Sequence, residues 1–117
     1  VYIWRTNQVL ITLRAKDFAF VLEESLSHIF QIIHANRLRV SLIQSSAVTI
    51  SVCVDNSRFV AKAIEQLQDA YRVTWNENLS LLTIRGTTPD ILKQEQQGRD
   101  ILLSQLTRRT AKLVIKD

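Results

Sequence analysis

RLRVSLIQSSAVTISVCVD, residues 37–55, sets two apolar runs around the polar break Gln44-Ser45-Ser46. Leu38, Val40 and Leu42 alternate with Arg39 and Ser41 in the first run. Val48, Ile50, Val52 and Val54 alternate with Thr49, Ser51 and Cys53 in the second. Period-two alternation rich in β-branched residues is the pattern of a strand with one face in a core. Two such runs about a short polar break predict an antiparallel hairpin with one apolar side.

Helical periodicity flanks this hairpin on both sides. Upstream, Phe18, Val21, Leu22, Leu26, Ile29, Phe30 and Ile33 recur at steps of three and four, an apolar stripe on a helix over residues 17–35. Asp17 suits its start, with Ser25 as a competing start, and Asn36 suits its exit. Downstream, Asp55-Asn56-Ser57 offers N-cap chemistry for a helix over residues 56–70. Phe59, Val60, Ala63, Ile64 and Leu67 form its buried stripe, leaving Glu65, Gln66 and Asp69 for water. Further out, Val9, Ile11 and Leu13 alternate along residues 8–14, and Tyr71, Val73 and Trp75 along residues 71–75. Residues 8–75 thus read β-α-β-β-α-β. Two split βαβ halves of this kind make a ferredoxin-like α+β unit, a four-stranded antiparallel sheet with both helices on one face.

A second unit follows at once. Residues 79–85 (LSLLTIR) predict a strand, 86–89 a turn, and 90–97 a short helix with Pro89 in its first turn. Residues 101–106 and 110–116 predict two strands around Thr107-Arg108-Arg109. This is a shortened β-α-β-β unit. It leaves an open edge, and the aromatic run VYIWR at residues 1–5 is the spare strand to complete it. The expected division is 7–78 for the first unit and 1–6 with 79–117 for the second.

Composition limits what such a chain does. A length of 117 residues holds one ordinary domain or two very small ones, and a 46% apolar content can pack a core. No apolar run approaches the ~20 residues that span a bilayer, and no charged-then-apolar leader opens the chain. A soluble, cytoplasmic protein without membrane partners is expected, and the absence of Met leads us to expect a fragment or processed chain. The net charge of +4 comes from Lys and Arg scattered among acids until Arg99, Arg108, Arg109, Lys112 and Lys116. That cluster reads as a solvated or partner-facing edge rather than a phosphate-binding face. The chain has no Gly-rich phosphate loop, no nucleophile beside a base and no paired carboxylates, so no catalytic residue is expected. Nor is a metal site: Cys53 is a lone strand residue, and His28 and His34 fall on different helix faces. Trp4 and Trp75 read as strand packing residues.

NQVLITLR, a helix, LRVSLIQSSAVTISVCVD, a second helix and YRVTWNENLSLLTIRG together resemble the C-terminal regulatory region of aspartate kinases. The resemblance covers residues 6–86, and 90–116 as a shortened second module. It implies two ACT modules, ferredoxin-like units that bind amino acids, with the first threaded into the second. It implies a homodimer paired through ACT edges, and a kinase domain outside this chain that uses ATP and Mg to phosphorylate the aspartate side chain. The chain itself would need no cofactor. The family's effector, often lysine or threonine, sits by the loop between the first strand and first helix, against the end of the second strand. Those positions are Asp17, Phe18, Val40, Ser41, Gln44, Ser45, Ser46 and Ala47.

A zwitterion leaving water needs partners for both charges. Backbone N–H groups and the Ser45 and Ser46 hydroxyls suit its carboxylate, and a side-chain carboxylate suits its ammonium. The acids often found in the family at the Ser41 and Ala47 positions are missing, leaving Asp17, Glu23 or Glu24 as substitutes. The same gap supports an alternative, an ACT dimerisation module that has lost its effector. A third class, RNA binding, shares the topology but needs aromatics on the central strands, and AVTISVCV has none. No nucleic-acid partner is expected.

Overall fold

Alternation that the sequence divides into short strands becomes two long ones. The computed structural model describes residues 1–16 and 22–117. In it β1 (Tyr2–Ala15) and β4 (Tyr71–Arg85) run unbroken for 14 and 15 residues. Four shorter strands were expected, with breaks at 6–7 and 76–78. Asn7 and Asn78 instead take φ of 54° and 58° inside continuing strands. Asparagine enters that left-handed region at little cost, so each strand turns locally without ending.

Between and after them come α1 (Leu22–Ala35), β2 (Val40–Ser45), β3 (Thr49–Asp55), α2 (Val60–Gln68), α3 (Pro89–Gln96), β5 (Ile101–Thr107) and β6 (Thr110–Lys116). The class is α+β, as expected. Residues Val9–Asn76 form one compact unit, and Val1–Gln8 with Glu77–Asp117 another, so β1 and β4 supply strands to both.

In the unit Val9–Asn76 the strand order is β2-β3-β1-β4. Val9, Ile11 and Leu13 of β1 and Ile50, Val52 and Val54 of β3 meet Ile29 and Ile33 of α1 and Val60, Ala63, Ile64 and Leu67 of α2. Both helices therefore cover one face. Each of the Val, Leu and Ile side chains among them, when fully buried, stabilises the fold by roughly 1.5–3 kcal/mol. In α1 the buried stripe runs through Leu22, Ser25, Leu26, Ile29 and Ile33, whereas Phe30, expected inside, is 42% exposed. The expected cap Asp17 and stripe members Phe18 and Val21 lie outside the described residues. The α1 exit is a Schellman turn. Leu38 N–H donates to Ile33 O and Arg37 N–H to His34 O, both at 3.1 Å, with Arg37 at φ 56°. Leu38 and Ile33 join the core there. The start of α2 departs from expectation: the helix begins at Val60, and its N-cap position, Phe59, has no side-chain cap.

The hairpin also departs from the expected pattern. A bulge between Val40 and Leu42 sets Leu42 opposite Cys53 and Ile43 opposite Val52. An extra residue switches every later side chain to the other face, so Ile43 packs against the helix-side core and Leu42 leaves it. Leu42 and Cys53, like Leu10 of β1, are nevertheless buried. The sheet thus buries apolar side chains on its helix-free face too, where one oily side was expected. Val48, assigned to the apolar face, is 62% exposed because it lies in the turn closed by Ser46 N–H to Thr49 O at 2.8 Å.

In the other unit the order is β1-β4-β6-β5, with β4–β6 and β5–β6 antiparallel. Val1 exchanges backbone hydrogen bonds with Arg85 at 2.9 and 3.2 Å. Leu82 and Ile84 of β4 and Ala111, Leu113 and Ile115 of β6 form the core, against which Ile91 and Leu92 of α3 and Ile101 pack. The Thr88 hydroxyl caps α3 by accepting from Ile91 N–H at 3.3 Å, and Pro89 begins the helix. The Tyr2 hydroxyl donates to Glu95 at 3.1 Å. Arg99 reaches the same carboxylate at 3.4 Å and lies 5.1 Å above the Trp4 ring. Trp4 and Trp75 are 46% and 43% exposed, so neither is the packing residue expected.

Candidate functional site

The free end of the β2–β3 hairpin holds a cleft of about 160 Å³ lined by Gln44, Ser45, Ser46, Thr49 and Ser51. Its composition follows from register. Gln44 stands opposite Ser51 and the turn brings Ser46 to Thr49. Side chains of a cross-strand pair share a face, so these four make a polar strip beyond the buried Leu42–Cys53 pair. The Ser46 hydroxyl donates to Thr49 O at 3.4 Å. The Gln44 amide and the Ser45, Thr49 and Ser51 hydroxyls have no hydrogen-bond partner among the described residues.

Such a set offers uncharged donors and acceptors only. It suits a polar ligand whose charged groups need donors and acceptors, since hydroxyls and amides solvate either sign. The cleft has no titratable side chain, so its own groups give binding no pH dependence near neutrality. Ser46 N–H is already committed to Thr49 O, which leaves side chains to do the binding at that position.

Of the eight residues expected at the site, Gln44, Ser45 and Ser46 come together here. Ala47 is exposed in the turn and does not line the cleft. Val40 is half-buried and packs against the helix-side core. Ser41 donates toward the Asp55 carboxylate at 3.5 Å. It lies four residues before Ser45, roughly 13 Å at the usual strand rise. Asp17 and Phe18 lie outside the described residues. Glu23 and Glu24 are exposed in the first turn of α1, where acids favour the helix dipole. Thr49 and Ser51 were read only as polar-face residues. Their place in the cleft needed the hairpin register, and a polar residue facing Gln44 was its only sequence signal. Among the described residues no His, Cys, Asp and Glu cluster could hold a metal ion, and no helix is long and apolar enough to cross a membrane.

No protein-family model matches the sequence, and no curated protein sequence is similar to it. Solved structures do share its fold. A chain described as a C-terminal regulatory domain of aspartate kinase from Porphyromonas gingivalis W83 superposes with a TM-score of 0.86 at 14% identity, over 99% of this chain and 85% of that one. E. coli aspartokinase III in complex with lysine and aspartate gives 0.78 at 18% identity, over 99% of this chain and 29% of that one. The regulatory subunit of aspartate kinase from Thermus flavus gives 0.73 at 14%, over 98% and 86%. The chain thus spans under a third of the E. coli enzyme and most of the two separate regulatory pieces. Its fold is that of the regulatory regions of aspartate kinases.

Proposed function

We propose that this chain is the regulatory, non-catalytic region of an aspartate kinase, with ACT modules at 7–78 and at 1–6 with 79–117. An amino acid bound at the β2–β3 hairpin end would exert feedback control on a kinase domain outside the chain. The observation that carries this reading is the uncharged polar cleft at Gln44–Ser46, in a fold that matches such regions over 99% of the chain. Lysine is the first candidate, since the E. coli enzyme has been solved with lysine and aspartate in a T-state and with aspartate and ADP in an R-state. The Gln44 amide and the serine hydroxyls would hold the effector's carboxylate, and Asp17, Glu23 or Glu24 its ammonium. A coupling of about 1–3 kcal/mol between effector and active site is enough for feedback. It arises if the effector makes contacts in only one arrangement of a dimer. β2 ends the strand order of its unit, so its outer backbone edge is open to a second copy.

Isothermal titration of the 117-residue chain with lysine, threonine and methionine tests the proposal. Heat from at least one of them is expected, with about tenfold weaker binding in Gln44→Ala, equivalent to ~1.4 kcal/mol. Silence from all three would sink the effector reading. The alternative, a dimerisation module without an effector, draws on Ser41 being turned to Asp55 and on Ala47 standing exposed without an acid. It predicts a dimer in sedimentation whose association ignores all three amino acids.

A further inference from the structure

The unit Val1–Gln8 with Glu77–Asp117 has a cleft of its own, unlike the polar one. It measures about 220 Å³ and lies between the first two turns of α3 and the β5–β6 turn. Pro89, Leu92 and Leu106 give it apolar walls, and Lys93 and Arg108 bring two cations to it. No acidic side chain lines it. Neither cation has an ion-pair partner among the described residues.

Local chemistry holds this cleft in place. Thr87 is buried, its N–H donating to Arg109 O at 2.8 Å and its hydroxyl to Thr88 O at 3.2 Å. The loop before α3 is thereby tied to the hairpin tip. Arg108 sits in that tip at φ 24°, a region where Asn or Gly is the usual occupant. The Thr88 hydroxyl is already used by Ile91 N–H, so the cations and apolar walls define the site, not the helix start. Leu106 is 61% exposed although it forms one wall, and a ligand in the cleft would cover it.

From these features we infer a second ligand site, one for a small oxyanion, carboxylate or phosphate, carried on a short apolar body without an amine. Two cations with no counter-charge favour an anion, and they repel an ammonium that would find no carboxylate to pair with. The volume is below the roughly 300–1,000 Å³ of drug-sized ligand sites, which matches a small ligand. This site does not depend on the amino-acid reading of the other unit.

The test is an NMR titration of the 117-residue chain, following the amides of Thr87, Lys93 and Arg108. The probes are pentanoate, butyl phosphate, inorganic phosphate and norvaline, the last being pentanoate with an added amine. Pentanoate, butyl phosphate or both should move these amides at millimolar concentration, and the tighter of the two identifies the oxyanion. Norvaline and inorganic phosphate should bind about tenfold more weakly or worse. Lys93→Gln and Arg108→Asn should each cost a similar factor. Asparagine accepts the positive φ, so the second variant removes the charge while keeping the turn. Any of three results would overturn the inference: no shift from either organic anion at tens of millimolar, norvaline or inorganic phosphate binding as well as they do, or undiminished affinity in both variants.

Discussion

The two units repeat one succession of strand, helix and hairpin over very different interiors. In Val9–Asn76, two helices and the sheet bury fourteen of the described residues in one core cluster. In the other unit a helix-side cluster joins Leu82, Ile84, Ala111, Leu113 and Ile115, and α3 has no buried residue of its own. The hairpin tips differ as well: one is neutral and serine-rich, the other carries Arg108 and Arg109. The difference shows that the same succession of elements can be built under unequal helix cover, two helices over one sheet and one short helix over the other. It also shows that equivalent turns present opposite chemistry once the fold no longer constrains their side chains.

Hollowing each core should separate the two units by the widest margin. Ile50 and Leu113 are both fully buried. Ile50→Ala, under two helices that hold the space open, should cost about 3–5 kcal/mol in urea unfolding. Leu113→Ala, beneath one short helix that can settle into the gap, should cost about 2–3 kcal/mol, because the penalty follows the residual cavity. Equal losses would mean that the second unit is packed as rigidly as the first.

A smaller effect sharpens the same contrast through polar ties. In the larger unit the buried Asn36 donates to Ile32 O at 2.8 Å and to Gln66 Oε1 at 2.7 Å, joining the α1 exit to α2. Asn36→Ala should cost about 1–2 kcal/mol, since it leaves a helix-end carbonyl without that donor. A double-mutant cycle with Gln66→Ala should find most of the coupling in the Asn36–Gln66 bond.

The smallest effect belongs to the other unit's exposed tie of Tyr2, Glu95 and Arg99. Partial desolvation, the hydrogen bond to Glu95 and that residue's charge raise the Tyr2 pKa above its ordinary 10.0. The folded state thus holds this proton more tightly than the unfolded chain. Its stabilisation is complete below pH 10.0 and is lost as pH rises through the folded value. Glu95→Gln should return the Tyr2 titration toward 10.0 in an NMR pH series, with thermal stability at neutral pH nearly unchanged. A Tyr2 titration that Glu95→Gln leaves in place would show that the tie does not form in solution.

Much of the fold was legible because periodicity is local. The stripe Val60, Ala63, Ile64 and Leu67 lies in the core as its spacing predicted. So do Ile50, Val52 and Val54. The failures came where one residue changes phase. Nothing in VSLI announces the bulge that turns Leu42 away and Ile43 inward, and Asn7 and Asn78 have the composition of turns yet sit within strands. Of the candidate site, Gln44, Ser45 and Ser46 were readable as a polar break, but Thr49 and Ser51 joined them only through pairing.

By itself the sequence determined which segments are helices and strands, where the hairpins turn, and that no charge enters the Gln44–Ser46 bend, since each depends on neighbours within a few residues. Tertiary structure alone decided which face each strand residue takes beyond a bulge. It also decided that Lys93 and Arg108, 15 residues apart, line one cleft. Those outcomes depend on pairing between distant segments, and side-chain spacing along the chain carries no information about them.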